Sequence, residues 1–219
     1  MNKFKRTPIL DFTYNSYWRT RNARLRSELF SREKIFTEWI PSYSTILDMA
    51  AGNSFLPSFL KKEKKAHVTI FDIAESVVFA QRGAGLDARV VDITDPDLRL
   101  DVIYDYVVLS EIIEHLAVPE RLIGNIRNNA RYIIFSIPNA AYYPHRFSML
   151  CGRFLGGWAA HPAEHLRYWS HVDFIDWLAA LDLRIIAHKP ANGFDLGMRL
   201  YRFWPNLFAN QICYLVEPQ

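Results

Sequence analysis

Two short stretches of this chain bring together residue types that do chemistry. In Glu111-Ile112-Ile113-Glu114-His115, two carboxylates and an imidazole stand at i, i+3 and i+4. On a helical turn those positions share a face and can converge. Two carboxylates and a ring nitrogen suit a divalent cation. Without a metal, the imidazole suits removal of a proton from an oxygen or nitrogen nucleophile. In Thr45-Ile46-Leu47-Asp48-Met49-Ala50-Ala51-Gly52-Asn53-Ser54, an apolar run ends in an acidic residue and turns through small ones. A segment able to form a helix, 55–62, follows. Strand, small-residue turn and helix in that order form the nucleotide-binding start of a doubly wound α/β sheet. Small side chains are needed there because the backbone passes close to a ligand.

These groups need a frame, and the apolar runs supply one. Strands are expected at 44–48, 68–71, 88–91, 104–109, 132–137, 183–187 and 211–216. The second run ends at Asp72, the third at Asp92, and the fourth leads into Ser110-Glu111. Continuous apolar runs alternating with helices indicate a parallel sheet covered on both faces. Aromatic and aliphatic residues at helical spacing, from Tyr17 and Trp18 through Leu25, Leu29 and Phe30 to Trp39, predict a helix over 13–40, stopped by Pro41. A helix is expected at 75–82, broken by Gly83-Ala84-Gly85, and another from Ser170, as its cap, to about 181. Pro138 is expected to stop the fifth strand. Residues 139–169 are rich in Gly, Pro and aromatics and form an expected lid over an acceptor pocket. A second aromatic insertion carries Phe194, Tyr201, Phe203, Trp204 and Phe208.

At 219 residues the chain fits one domain, 1–219, with a helical cap over 1–41. A hydrophobic content of 50% excludes disorder. The net charge of +3 demands no nucleic-acid partner. The basic N-terminal residues, Lys3, Lys5, Arg6, Arg19, Arg21, Arg24 and Arg26, are expected on a solvated helix face. Cys151 and Cys213 lack metal spacing and fit free thiols in a cytoplasmic protein. Residues 1–10 are basic and polar, unlike a signal peptide. No apolar run reaches the ~18 residues of a membrane span.

The ordered pieces carry a resemblance. Ile46-Leu47-Asp48 to Gly52, Leu109-Ser110-Glu111-Ile112-Ile113-Glu114-His115-Leu116, Phe135-Ser136-Ile137-Pro138-Asn139 and His165-Leu166-Arg167-Tyr168-Trp169-Ser170 resemble the class I S-adenosylmethionine (SAM)-dependent methyltransferases, and within them the MetW and UbiG-type group. The resemblance implies a seven-stranded, mostly parallel Rossmann-like sheet and methyl transfer to oxygen of a small-molecule or glycan-like acceptor. It implies that Asp48 and the backbone of Ala50 to Gly52 face the methionine tail, that Asp72 accepts both ribose hydroxyls, and that Asp92 and Ile93 hold the adenine. Ser110 and Glu111 would stand beside the methyl group. The pattern departs at Ala50 and Ser54, where that group has glycine. The spacing of Glu111, Glu114 and His115 also resembles the metal-binding element of UbiG-type and plant small-RNA methyltransferases. There a further histidine follows strand five, and His165 matches it best, ahead of His161. Three further expectations stand beside the leading one: metal-free general-base work by His115 or His165, a regulatory partner of a methionine-biosynthesis acyltransferase, and RNA 2′-O-methylation. A homodimer or other protein partner is also compatible with the aromatic segment after Pro138.

Overall fold

The computed structural model describes residues 13, 14, 17, 18, 24–154, 165–195 and 199–219. Its centre is a seven-stranded sheet. The strands are β1 (Thr45–Met49), β2 (His67–Asp72), β3 (Asp87–Val90), β4 (Tyr104–Ser110), β5 (Ala130–Pro138), β6 (Leu183–Gly193) and β7 (Ala209–Pro218), in the order β3-β2-β1-β4-β5-β7-β6. The first five are parallel, whereas β7 runs antiparallel to both β5 and β6. The chain therefore has the mostly parallel, Rossmann-like α/β fold expected.

Successive strand residues face opposite sides of a sheet, and the core divides accordingly. Leu47, Val107, Ile133 and Phe135 join Phe174 and Leu178 in one cluster. Ile46, Val108 and Ile134 join Phe36, Ile40 and Leu60 in the other. The covering helices are α1 (Ser31–Trp39), α2 (Leu56–Glu63), α3 (Glu75–Gly83), α4 (Pro119–Ile126), α5 (Tyr143–Leu150) and α6 (His171–Ala180), with single turns α7 (Leu200–Phe203) and α8 (Pro205–Phe208) before β7. Among the described residues no helix is long and apolar enough to cross a membrane. Cys151 and Cys213 are free thiols.

Three sequence expectations need correction. The helix expected over 13–40 is interrupted, because residues 24–30 are not helical and Phe30 is extended. The cause is Glu33, whose carboxylate accepts the Phe30 N–H at 2.7 Å and pairs with Arg26. Those bonds turn the chain just before α1. Pro138 does not stop β5 but occupies its last position, opposite Gln211 of β7. The sixth strand continues to Gly193 with irregular register, as an edge strand can, and accommodates Pro190.

Ser170 caps α6 as expected. Its Oγ accepts the Asp173 N–H at 3.1 Å, and Asp173 accepts the Ser170 N–H at 3.2 Å. The segment after β5 is fastened at Asn139, which is fully buried. Its side-chain amide donates to the Ala209 carbonyl at 2.8 Å, and its backbone N–H donates to Asn210 at 2.9 Å. Residues 155–164, including Leu155, Trp158 and His161, lie outside the described residues.

Candidate active site

A cavity of about 320 Å³ opens at the carboxyl ends of the parallel strands. Asp48, Ala50, Gly52, Asp72, Asp92, Ile93, Ser110, Glu111, His115 and His165 all line it. Among the described cofactor and metal candidates, Glu114 alone does not.

The turn after β1 is left-handed at two positions, Ala50 (φ 61°) and Gly52 (φ 56°). At Ala50 this costs about 1–2 kcal/mol that glycine would not incur. Ser54 needs no such freedom. Its Oγ accepts the Leu56 N–H at 3.0 Å and donates to Glu33 at 2.7 Å. A Cβ on Gly52 would stand 2.7 Å from the Trp18 ring, so the chain's own indole occupies the space against that glycine. Asp72 ties the turns after β1 and β2 together. One carboxylate oxygen accepts Gly52 N–H at 3.0 Å and the other accepts Ala74 N–H at 2.9 Å. Each oxygen keeps a second lone pair. Asp92 lies in a loop beyond β3, exposed, with its carboxylate accepting the Thr94 N–H and hydroxyl. Ile93 beside it is buried.

The other end of the cavity forms where β4 stops. Ser110 Oγ accepts a bond from Arg32 Nε at 3.1 Å and shares one with Ser136 Oγ at 3.1 Å. Glu111 is left-handed (φ 53°), a strained conformation for a side chain of its size. This bend takes Glu111 out of the helical register assumed from sequence. One of its carboxylate oxygens accepts Gln211 Nε2 at 3.0 Å, and the other is buried without a partner among the described residues. Ile113–His115 then form a single 3₁₀ turn. Glu114 is 1% exposed, and neither carboxylate oxygen has a hydrogen-bond partner among the described residues. Its backbone carbonyl accepts the N–H groups of Leu166 and Arg167, at 2.8 and 3.1 Å. That clasp brings His165 to His115, with ring centroids 4.7 Å apart and edge to face. One ligand atom each from Glu114, His115 and His165 lie within 4.8 Å of one another. Glu111 stands outside that group.

Burial sets the electrostatics. Asp48 is pushed up to about 8, chiefly by burial and then by Glu33 and Asp72, with Arg32 and Arg26 opposing. Burial also raises Asp72, against the two amides it accepts. Glu111 is raised by burial, and Glu114 well above the ordinary carboxylate range by burial and then by Glu111. Burial lowers His165.

The sequence reading missed the N-terminal contribution. Tyr14, Tyr17, Trp18, Arg26, Arg32 and Glu33 line the cavity. Arg26, expected on a solvated face, pairs with buried Glu33 and lies 3.6 Å over the Phe30 ring. The available signal was an Arg and Glu seven residues apart just before an apolar strand.

A family model described as methionine biosynthesis protein MetW matches residues 31–216. No curated protein matches the chain. Among solved structures, a TehB-like SAM-dependent methyltransferase from Corynebacterium glutamicum is 14% identical, with 94% of this chain and 96% of that one covered and a TM-score of 0.59. Magnesium protoporphyrin IX methyltransferase (ChlM) from Synechocystis, with bound S-adenosylhomocysteine (SAH), is 15% identical, covering 94% and 98%, with a TM-score of 0.63. The [4+2]-cyclase SpnF is 12% identical, covering 85% and 79%, with a TM-score of 0.60. At these identities the likeness is one of fold.

Proposed function

The chain belongs to the family of methionine biosynthesis protein MetW, and from that premise we propose that it is a SAM-dependent methyltransferase acting on oxygen of a small-molecule or glycan-like acceptor. The carrying observation is one cavity whose wall runs from Asp48, Gly52, Asp72 and Asp92 at one end to Glu111, His115 and His165 at the other.

The donors and acceptors fit an adenosyl ligand. Asp72 keeps lone pairs for a ribose diol, Ile93 offers an apolar surface for a purine, and Asp92 an acceptor for its amino group. When bound, SAM supplies a methyl group already activated by its sulfonium. The chain then has to align, exclude water and take a proton. Asp48 and Glu111 are carboxylates suited to the positive sulfonium and ammonium. His115 or His165 would take the acceptor's proton.

The set Glu114, His115 and His165 also fits a divalent cation, since a buried carboxylate with two unpartnered oxygens is best satisfied by a positive charge. Such an ion would bind an acceptor oxygen and lower its pKa.

A second reading rests on the turn after β1. Ala50 carries strain that the glycine of a SAM-binding turn would avoid. That favours a regulatory partner of a methionine-biosynthesis acyltransferase. The SpnF cyclase shows that this fold does not by itself entail methyl transfer.

Calorimetry separates the readings. Wild type is expected to bind SAM, and Asp72→Ala to lose about 1–3 kcal/mol of that affinity, roughly 10- to 100-fold, because the diol loses its acceptor. No heat from wild type at saturating SAM would sink the enzyme reading and raise the partner reading.

A second prediction concerns pH. With a folded-state value of about 8, Asp48 is mostly protonated at neutral pH. Because that value is raised, the group's contribution to stability is full below about pH 4 and is lost as pH rises through 8. A cationic ligand favours the ionised form, so binding should release a proton. SAM affinity should therefore rise between pH 6 and 8 and level off above. Asp48→Asn should flatten this dependence. A wild-type affinity constant across that window would remove Asp48 from the ligand's surroundings.

A further inference from the structure

A helix that covers a sheet buries one face. Each of α1 to α4 and α6 does so, through residues such as Phe36, Leu60, Val78, Ile123 and Phe174. The helices α5, α7 and α8 bury no residue at all. They lie side by side, α5 following β5 and the other two preceding β7. Arg146 of α5 donates to the Asn206 carbonyl of α8 at 3.4 Å, and the Tyr143 ring meets those of Phe194 and Phe208 at 5.1 and 6.2 Å. Phe154, just beyond α5, meets Tyr168 edge to face at 5.5 Å.

What these segments expose is large and apolar. Phe203 is 88% exposed and Leu150 84%, and Phe147, Phe154 and Trp204 are exposed as well. Single exposed apolar residues need no explanation, but a group of them marks a surface that meets something. Arginine is interspersed. Residues 139–154, 165–172 and 199–210 include Arg146, Arg153, Arg167, Arg199 and Arg202 and no Asp or Glu. Two exposed arginines elsewhere, Arg89 and Arg184, pair with Asp87 and Glu217. Among the described residues Arg153, Arg199 and Arg202 have no ion-pair partner.

We propose that this face docks on the surface of an anionic lipid bilayer, with its aromatic and aliphatic side chains in the headgroup layer and its arginines on lipid phosphates. Phe, Trp and Leu interleaved with Arg are the side chains an interfacial segment uses. A second copy fits worse, because a two-fold contact sets a patch against itself and brings arginine to arginine. Single-stranded nucleic acid also fits worse, since exposed Met149 and Leu150 have no ring on which a base can stack. The docking stands whichever reading of the cavity is right.

The test sediments the full chain with vesicles of phosphatidylcholine alone, or of phosphatidylcholine and phosphatidylglycerol in equal parts. Each cation near an anionic surface strengthens binding roughly fivefold, so three free arginines should favour the anionic vesicles about 100-fold at low salt. Added salt should shrink that margin. Arg153→Gln with Arg202→Gln should cut it to about fivefold. Leu150→Ser with Phe203→Ser should weaken binding to both vesicles about 10-fold or more. All four residues are exposed, so the variants should melt with wild type. Phe79→Ser, at an 81% exposed position on α3, should bind as wild type does. Wild type left in the supernatant with anionic vesicles would overturn the proposal, as would a loss in Phe79→Ser equal to that in the patch variants. Self-association or oligonucleotide binding that the patch variants abolish, while their vesicle binding persists, would overturn it too. Should one pair of substitutions melt early, the other pair decides.

Discussion

Gly52→Ala is expected to destabilise the protein by about 2–4 kcal/mol and to abolish measurable ligand binding. The added carbon meets the Trp18 ring at 2.7 Å, and the residue must stay left-handed at φ 56°. Overpacking and left-handed strain each cost about 1–2 kcal/mol. An indole cannot yield as the tip of a flexible chain does. Urea unfolding measures the loss, and tryptophan fluorescence reports the displaced ring. Trp18→Ala placed on top should return the steric part and leave the backbone part. If the double variant is no more stable than Gly52→Ala, contact with Trp18 is not the cause.

Glu114→Met is expected to act in the opposite direction. A carboxyl group 1% exposed, with two unpartnered oxygens, incurs a desolvation cost that an apolar side chain of similar volume avoids. In EDTA the variant should be more stable than wild type by about 1–3 kcal/mol. The same change should remove any response to metal. Wild type is expected to melt higher with added Mg²⁺ or a transition metal, and its methylation to stop with chelator. Glu114→Met should melt at one temperature with or without the ion. Full wild-type activity in EDTA, with no ion found by metal analysis, would remove the metal and leave His115 or His165 as the base.

Much of the frame was legible because it rests on local pattern. The runs ending at Asp48, Asp72 and Ser110 are buried strands, and burial on both faces writes itself as unbroken apolar sequence. The segment before α1 was misread for a physical reason. Leu25, Leu29 and Phe30 have helical spacing, but Glu33 takes the Phe30 N–H, Arg26 and the Ser54 hydroxyl, and the last lies 21 residues away. Periodicity records which face is apolar and cannot record a distant partner. Glu111 was misplaced for a related reason. The i, i+3 and i+4 argument assumes helical backbone throughout, and a left-handed residue at the end of β4 breaks that assumption. Glu114, His115 and His165 still meet, because the Glu114 carbonyl clasps the chain beyond residue 165.

The placement of β7 has a consequence for how the chain emerges from the ribosome. It is made after β5 and β6, yet it lies between them in the sheet. Until it is released from the exit tunnel, β5 has a bare edge and β6 has no neighbour. Gln211, on β7, supplies the amide that holds Glu111. A nascent chain can therefore pack β1 to β5 early but cannot order the Glu111 end of its cavity before translation has passed residue 211. Pairings over such sequence separations form slowly, and an unpaired inner strand invites association with other chains. During synthesis, the hazard is concentrated in the interval after β6 has emerged and before β7 has joined it.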